Sequence, residues 1–227
     1  AGGLGTRLSE YTKTIPKPMV SINGKPMLLR IMNYFYNYGF RNFYIALGYK
    51  GKVIKNYFKK NKKDWDVKLI DTGINTMTGG RLKRLTKYLK NDRFMLTYGD
   101  GLSNVNLKKL IKFHKQNKKL VTLTAVRPPA RFGYLKLKGN LVNYFKEKAK
   151  TDEGWINGGF FVIEPSFLKL IKSDKTYLER EPLEIITKNK KLAAFKHQDF
   201  WQCVDTIRDK KKLEIIIKKR KYRKIFD

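Results

Sequence analysis

One cysteine and two histidines are all that 227 residues hold of the soft metal-ligating and strongly nucleophilic side chains. A lone Cys203 excludes an internal disulfide and suits a reducing compartment, so the cytoplasm is the expected setting. His114 and His197 stand apart, outside any H-E-x-x-H or Cys/His cluster, which argues against zinc catalysis. No Ser-His-Asp arrangement can be argued either. No apolar run approaches the roughly 20 residues of a membrane helix, and the first residues do not read as a secretory signal. Acidic residues are scarce: 19 face 51 lysines and arginines, a formal net charge of +32.

An excess of that size ordinarily points to nucleic acid or an anionic membrane. These lysines are spread along the whole chain beside abundant Asn, Ile, Tyr and Phe, which fits solvated surface positions with no specific nucleic-acid partner. The run Lys218-Lys219-Arg220-Lys221-Tyr222-Arg223-Lys224 is the segment best suited to a polyanion. A hydrophobic fraction of 41%, with 14 phenylalanines and 13 tyrosines, is ample for a folded core. Length and the absence of a linker give one domain over 1–227.

What is present begins with Ala1-Gly2-Gly3-Leu4-Gly5-Thr6-Arg7-Leu8, followed at a short distance by Pro16-Lys17-Pro18. Three glycines let the backbone pass close to an anion with its N–H groups turned inward. Arg7 and Lys17 add two cations, enough to hold a nucleoside triphosphate. A Walker A loop needs Lys-Ser/Thr after its last glycine, where this chain has Thr6-Arg7. A dinucleotide fingerprint needs a glycine where Leu8 stands and an acidic residue that Ser21 to Lys25 does not supply. The bland alternative is a glycine-rich turn carrying two solvated cations.

The remainder alternates strand and helix, the order of an α/β, Rossmann-like domain with a mixed, mostly parallel sheet flanked by helices. Helices are expected over 26–38, 52–58, 80–89, 107–115, 166–171 and 183–188, with a final one after Thr206. Strands are expected over 43–47, 67–71, 94–98, 121–126 and 192–196. A hairpin turns at Gly139-Asn140, and a strand over 155–164 is interrupted by Asn157-Gly158-Gly159. Asp100 lies between Gly99 and Gly101 at the end of a strand, where α/β sheets place ligands, and Asp205 ends another apolar segment. Two carboxylates beside a phosphate loop suit Mg²⁺, a hard ion completed by phosphate oxygens and water. Each aspartate alone is as readily a turn residue.

The loop with its Pro-Lys-Pro resembles the signature of the sugar-1-phosphate nucleotidylyltransferases. Further matching stretches are Gly48-Tyr49-Lys50-Gly51, Asp71-Thr72-Gly73, Arg131-Phe132-Gly133, Ile156-Asn157-Gly158-Gly159-Phe160-Phe161-Val162 and Glu181-Pro182-Leu183. The run Thr78-Gly79-Gly80-Arg81-Leu82-Lys83-Arg84 narrows the resemblance to members that act on CTP and glucose 1-phosphate. The resemblance implies Mg²⁺ on Asp100 and Asp205, and catalytic cations at Arg7 and Lys17. It implies a nucleotide site at Gly2, Gly3, Leu4, Gly5, Thr6, Thr76, Thr78, Arg81 and Gly99. It implies a sugar-phosphate site at Gly133, Glu147, Lys148, Asn157 and Gly158, and a homo-oligomer. The chain departs from the family at Ala149, at Cys203 and in a short stretch between Phe58 and Trp65. In the family an apolar strand precedes the glycine loop, and on that comparison a chain opening at Ala1 is expected to be poorly stable. Two alternatives stay open: the same chemistry on another nucleotide or sugar phosphate, and a non-catalytic polyanion binder with the same fold.

Overall fold

A computed structural model describes residues 1–3, 5, 8–61, 64–127, 134–146 and 154–227. From the N-terminus, α1 (Ser9–Thr12) and a 3₁₀ turn (Lys17–Met19) lead into a hairpin of β1 (Ser21–Ile22) and β2 (Lys25–Pro26). The chain continues through α2 (Met27–Asn37), β3 (Asn42–Leu47), α3 (Gly51–Lys60), β4 (Asp66–Asp71), α4 (Thr78–Arg84) and α5 (Thr86–Leu89). Then come β5 (Phe94–Leu96), β6 (Gly101–Ser103), α6 (Leu107–Asn117), β7 (Val121–Val126) and a hairpin of β8 (Tyr134–Lys138) and β9 (Leu141–Lys146). The last part holds β10 (Ile156–Asn157), β11 (Phe161–Ile163), a 3₁₀ segment (Pro165–Leu170), α7 (Glu181–Lys188), β12 (Leu192–His197), β13 (Trp201–Cys203), α8 (Ile207–Lys218) and α9 (Arg220–Phe226).

The central sheet is mixed. β12 runs parallel to β7, while β10 and β11 lie antiparallel on the other side of β7, and β11 also pairs antiparallel with β5. β3 and β4 form a separate parallel ladder. Alternation along β11 explains why helices cover both faces. Val162 joins the apolar cluster built with α2, α6, α8 and α9; Phe161 and Ile163 join the cluster built with α4, α5 and α7. This is the expected α/β architecture, a mixed sheet between helical layers, but the expected mostly parallel pairing needs correction: three of the four pairings in the central sheet are antiparallel, because β10 and β11 both run against β7.

Several expectations need correction. The helix expected over 80–89 starts at Thr78 and breaks at Leu85, whose N–H bonds to the Leu82 carbonyl while the Thr86 hydroxyl donates to the Lys83 carbonyl at 2.6 Å. That side chain competes with helical continuation, yet Leu82, Leu85 and Leu89 still face one core. The strand expected over 94–98 stops at Leu96, and a short strand absent from the expectation follows at Gly101–Ser103. The helix expected over 166–171 is the 3₁₀ segment Pro165–Leu170.

The final helix is two. Lys219 turns to an extended backbone (φ −65°, ψ 131°) and folds α9 back toward α2, burying Phe226 completely. The basic run at 218–224 is thus the outer face of two packed helices. Among the described residues no helix is long and apolar enough to cross a membrane.

Candidate active site

Asp100 and Asp205 are 105 positions apart in sequence, and a strand register joins them. β13 pairs antiparallel with β6, with Cys203 opposite Gly101. One step beyond, the Val204 N–H donates to the Asp100 carbonyl at 2.8 Å, so the two aspartates leave the same end of one ladder. Asp205 is fixed from its other side by the start of α8. The Asp209 carboxylate accepts from the N–H groups of Asp205 and Thr206, and the Thr206 hydroxyl caps the helix by accepting from the Asp209 N–H.

Lys17 meets both carboxylates. Its Nζ donates to Asp100 Oδ2 at 2.8 Å and to Asp205 Oδ1 at 2.6 Å. Pro16 opens the 3₁₀ turn that carries Lys17, and the Met19 N–H closes it on the Pro16 carbonyl. Pro18 lies against Gly99, where a Cβ would come within 2.9 Å of Pro18 Cγ. A side chain at 99 would therefore push the lysine away from its partners. Burial works to lower the Lys17 pKa, but the attraction and hydrogen bonds of Asp100 and Asp205 outweigh it and raise the ammonium above the ordinary lysine value. Nearby, burial followed by the charges of Asp205 and Asp100 pushes the Cys203 thiol up to about 11, so it is a protonated bystander at neutral pH.

Two carboxylates thus meet one ammonium at this point. The donors converge on a common point and are hard oxygens, as Mg²⁺ requires. Among the described residues no group of three or more His, Cys, Asp and Glu could hold a metal. A cavity of about 350 Å³ lined by Arg93, His114, Lys118, Glu164 and Lys191 is elsewhere, at the opposite ends of the strands.

The glycine loop comes to the same end of the sheet. The Gly2 carbonyl accepts from the Tyr49 N–H just after β3, and the Gly5 carbonyl accepts from the Leu8 N–H and the Thr12 hydroxyl. Gly3 is also described, whereas Leu4, Thr6 and Arg7 lie outside the described residues, as do Gly133, Glu147 and Lys148. Thr76 is buried and Thr78 opens α4. Arg81 is buried behind the loop: its Nη1 donates to the Leu47 and Gly73 carbonyls and the Thr72 hydroxyl, and its Nη2 to the Gly2 and Ile74 carbonyls. Its guanidinium therefore ties the loop to the ends of β3 and β4. Replacing Arg81 with Met strands these oxygens and is expected to cost on the order of 3 kcal/mol. A urea denaturation midpoint matching that of the wild type would contradict this role.

Asn157 and Gly158 sit where the strand between β10 and β11 breaks. The Gly158 N–H donates to the Thr124 carbonyl, and the Gly158 carbonyl accepts from Trp201 Nε1 at 2.8 Å. Two residues not singled out in the sequence join this edge: Tyr98, whose hydroxyl accepts from Asn157 Nδ2 at 3.1 Å, and Glu179, which accepts from Tyr98 at 2.8 Å. Tyr98 adjoins the Gly99-Asp100-Gly101 turn and could have been found by that position. Glu179 carries no sequence signal of its own.

Comparison with known proteins agrees with this geometry. The nucleotidyl transferase family matches residues 1–209. The chain is 47% identical over 244 aligned positions to glucose-1-phosphate cytidylyltransferase of Salmonella typhimurium, covering 97% of this chain and 95% of that protein. It is 39% identical to a probable glucose-1-phosphate cytidylyltransferase of Bacillus subtilis, covering 92% and 90% respectively. Among solved structures, HddC from Yersinia pseudotuberculosis superposes with a TM-score of 0.76 at 28% identity, covering 96% of this chain and 97% of that one. A match spanning the loop and both aspartates, with relatives this similar over nearly their whole length, places the chain in the nucleotidyl transferase family.

Proposed function

We propose that this chain transfers the cytidylyl group of CTP to α-D-glucose 1-phosphate, giving CDP-glucose and pyrophosphate. The observation that carries the chemistry is the convergence of Lys17, Asp100 and Asp205 beside the glycine loop. The substrate pair is supported by the 47% identical relative, whose name states that activity. A phosphate oxygen of the sugar phosphate attacks the α-phosphorus in line as the bond to the departing pyrophosphate breaks. Such a transfer asks the protein for positioning and charge neutralisation, with no protein nucleophile.

In this reading the N–H groups of Gly2, Gly3 and Gly5, with Leu4 and Thr6, cradle the triphosphate. Lys17 and Arg7 balance the charge that grows on the departing pyrophosphate. Asp100 and Asp205 would hold Mg²⁺, which when bound supplies positive charge at the α-phosphate. Thr76, Thr78 and Gly99 border the nucleoside, and Arg81 fixes the wall behind it. Asn157 and Gly158, with Gly133, Glu147 and Lys148, take the sugar phosphate. Free nucleoside triphosphate as substrate, together with a single unpaired cysteine, supports a cytoplasmic setting.

Pyrophosphate release with Mg²⁺ and glucose 1-phosphate, compared across CTP, UTP, dTTP, ATP and GTP, tests the assignment. CTP-selective release is expected. Selective release with GTP or UTP would keep the reaction and replace the nucleotide. Silence with every nucleotide from a folded protein would overturn the reading.

A further inference from the structure

The resemblance gives no role to Glu179, yet its carboxylate bridges two walls of the site. Oε2 accepts from the Thr78 hydroxyl at 2.6 Å, and Oε1 accepts from the Tyr98 hydroxyl at 2.8 Å. The Tyr98 oxygen in turn accepts from Asn157 Nδ2 at 3.1 Å, and Asn157 Oδ1 accepts from the Gly159 N–H at 3.0 Å. The far end is equally anchored, because the Leu178 N–H donates to Thr78 Oγ1 at 2.9 Å.

The proton positions in this chain follow from chemistry. Gly159 N–H can only donate, so the Asn157 oxygen faces it and the amide nitrogen faces Tyr98. An ionised carboxylate can only accept, so the single Tyr98 proton is committed to Glu179 and its oxygen is left to receive Asn157. The second amide hydrogen of Asn157 has no acceptor among the described residues. Asn157 is thereby held as an N–H donor toward the site, suited to the oxygen of a sugar hydroxyl.

Two glycines put Glu179 in place. A Cβ at Gly80 would lie 2.4 Å from the Asp174 carbonyl oxygen, and one at Gly79 would lie 2.8 Å from that of Thr176. Their absence lets α4 press against the segment from Asp174 to Leu178, which is further pinned by Met77 N–H to the Asp174 carbonyl and by the Arg84–Asp174 pair. The ring of Tyr98 stands edge-on to Phe161, with centroids 5.8 Å apart.

We propose that Glu179 is a positioning residue for the sugar-phosphate half of the site, acting through Tyr98 to hold Asn157 in its donor orientation. This rests on the reading of the site as a nucleotidyltransferase that makes a nucleoside-diphosphate sugar. Glu179→Leu removes both acceptors at nearly constant size and leaves the Tyr98 hydroxyl without the partner that fixes its proton.

The test is direct titration of CDP and of CDP-glucose into wild type, Glu179→Leu and Tyr98→Phe. The affinity gained from the glucose unit is expected to fall about tenfold in each variant, the scale of one lost hydrogen bond. CDP affinity should stay within about twofold in Tyr98→Phe, whose lost hydroxyl meets only Glu179 and Asn157; the Glu179 variant also releases Thr78 at the nucleoside wall, so there the glucose increment is read relative to the variant's own CDP affinity. The double variant should lose no more than either single one. Turnover of Tyr98→Phe gives the parallel signature: a raised KM for glucose 1-phosphate with that for CTP unmoved.

Equal loss of CDP and CDP-glucose affinity, unchanged affinity for both, or additive losses in the double variant would overturn the proposal. Wild type that binds CDP but gains nothing from the glucose unit would instead overturn the substrate assignment.

Discussion

Asp100→Asn and Asp205→Asn should each lower turnover on the order of 100- to 1,000-fold, the scale of losing one well-placed electrostatic contact to a transition state. The fold should persist. Each substitution preserves size and leaves Lys17 one carboxylate partner, since the ammonium is shared between 2.8 and 2.6 Å contacts. The backbone ladder that joins the two positions, through Cys203 opposite Gly101, involves neither side chain. Steady-state turnover paired with thermal unfolding checks this. Turnover within tenfold of wild type in both variants would overturn the assignment of these aspartates. Indifference to either change, together with steep salt dependence of binding, is what a polyanion-binding protein on this scaffold would show.

Lys17→Met should have the second-largest effect, and of a different kind. Removing the ammonium leaves two carboxylates facing a common point with side-chain exposures of 35% and 14%. Their repulsion and lost hydrogen bonds are expected to cost about 1–3 kcal/mol, discounted for the solvent access of Asp100. Mg²⁺ should restore that loss by taking the lysine's place, so the variant's Tm should climb with added Mg²⁺ while the wild-type Tm moves little. Activity should still fall on the order of 100-fold, because on the proposed reading Lys17 balances the charge growing on the departing pyrophosphate. Equal Mg²⁺ responses in the two proteins would contradict this picture.

The pH dependence of the same contact has a definite sign. The Lys17 pKa is raised in the folded protein, so its contribution to stability is complete below the ordinary value of 10.5 and fades only as pH climbs through the higher folded value. The contact is therefore fully present at neutral pH.

Much of the fold was legible because its elements are periodic. The stripe of Leu28, Leu29, Ile31, Met32 and Phe35 predicts α2, and all five are buried. The apolar runs of β3 and β7 are equally plain. The errors fall where local signals are short or tertiary contacts decide. β6 spans only Gly101–Ser103 and exists because β13 arrives beside it from 100 residues on. The turn at Lys219 is invisible in an unbroken basic run; burial of Phe226 against the α2 side of the core drives it.

The site divides along the same line. Lys17 and the two aspartates follow from motif and chemistry, and the structure brings them together. Arg81 was found by its motif, but its engagement by carbonyls from three separate segments could not be read from spacing. The glycines before it are explained by close approach to the Asp174–Leu178 segment. Glu179 depends entirely on that approach, so no pattern in its own neighbourhood reveals it.

The most direct test of the central claim is ³¹P NMR of the products formed from CTP and glucose 1-phosphate with Mg²⁺. The account predicts CDP-glucose and pyrophosphate in equal amounts, with the signal lost in Asp205→Asn. Accumulation of CMP with pyrophosphate and no CDP-glucose, or substrates unchanged in the presence of folded wild-type protein, would contradict it.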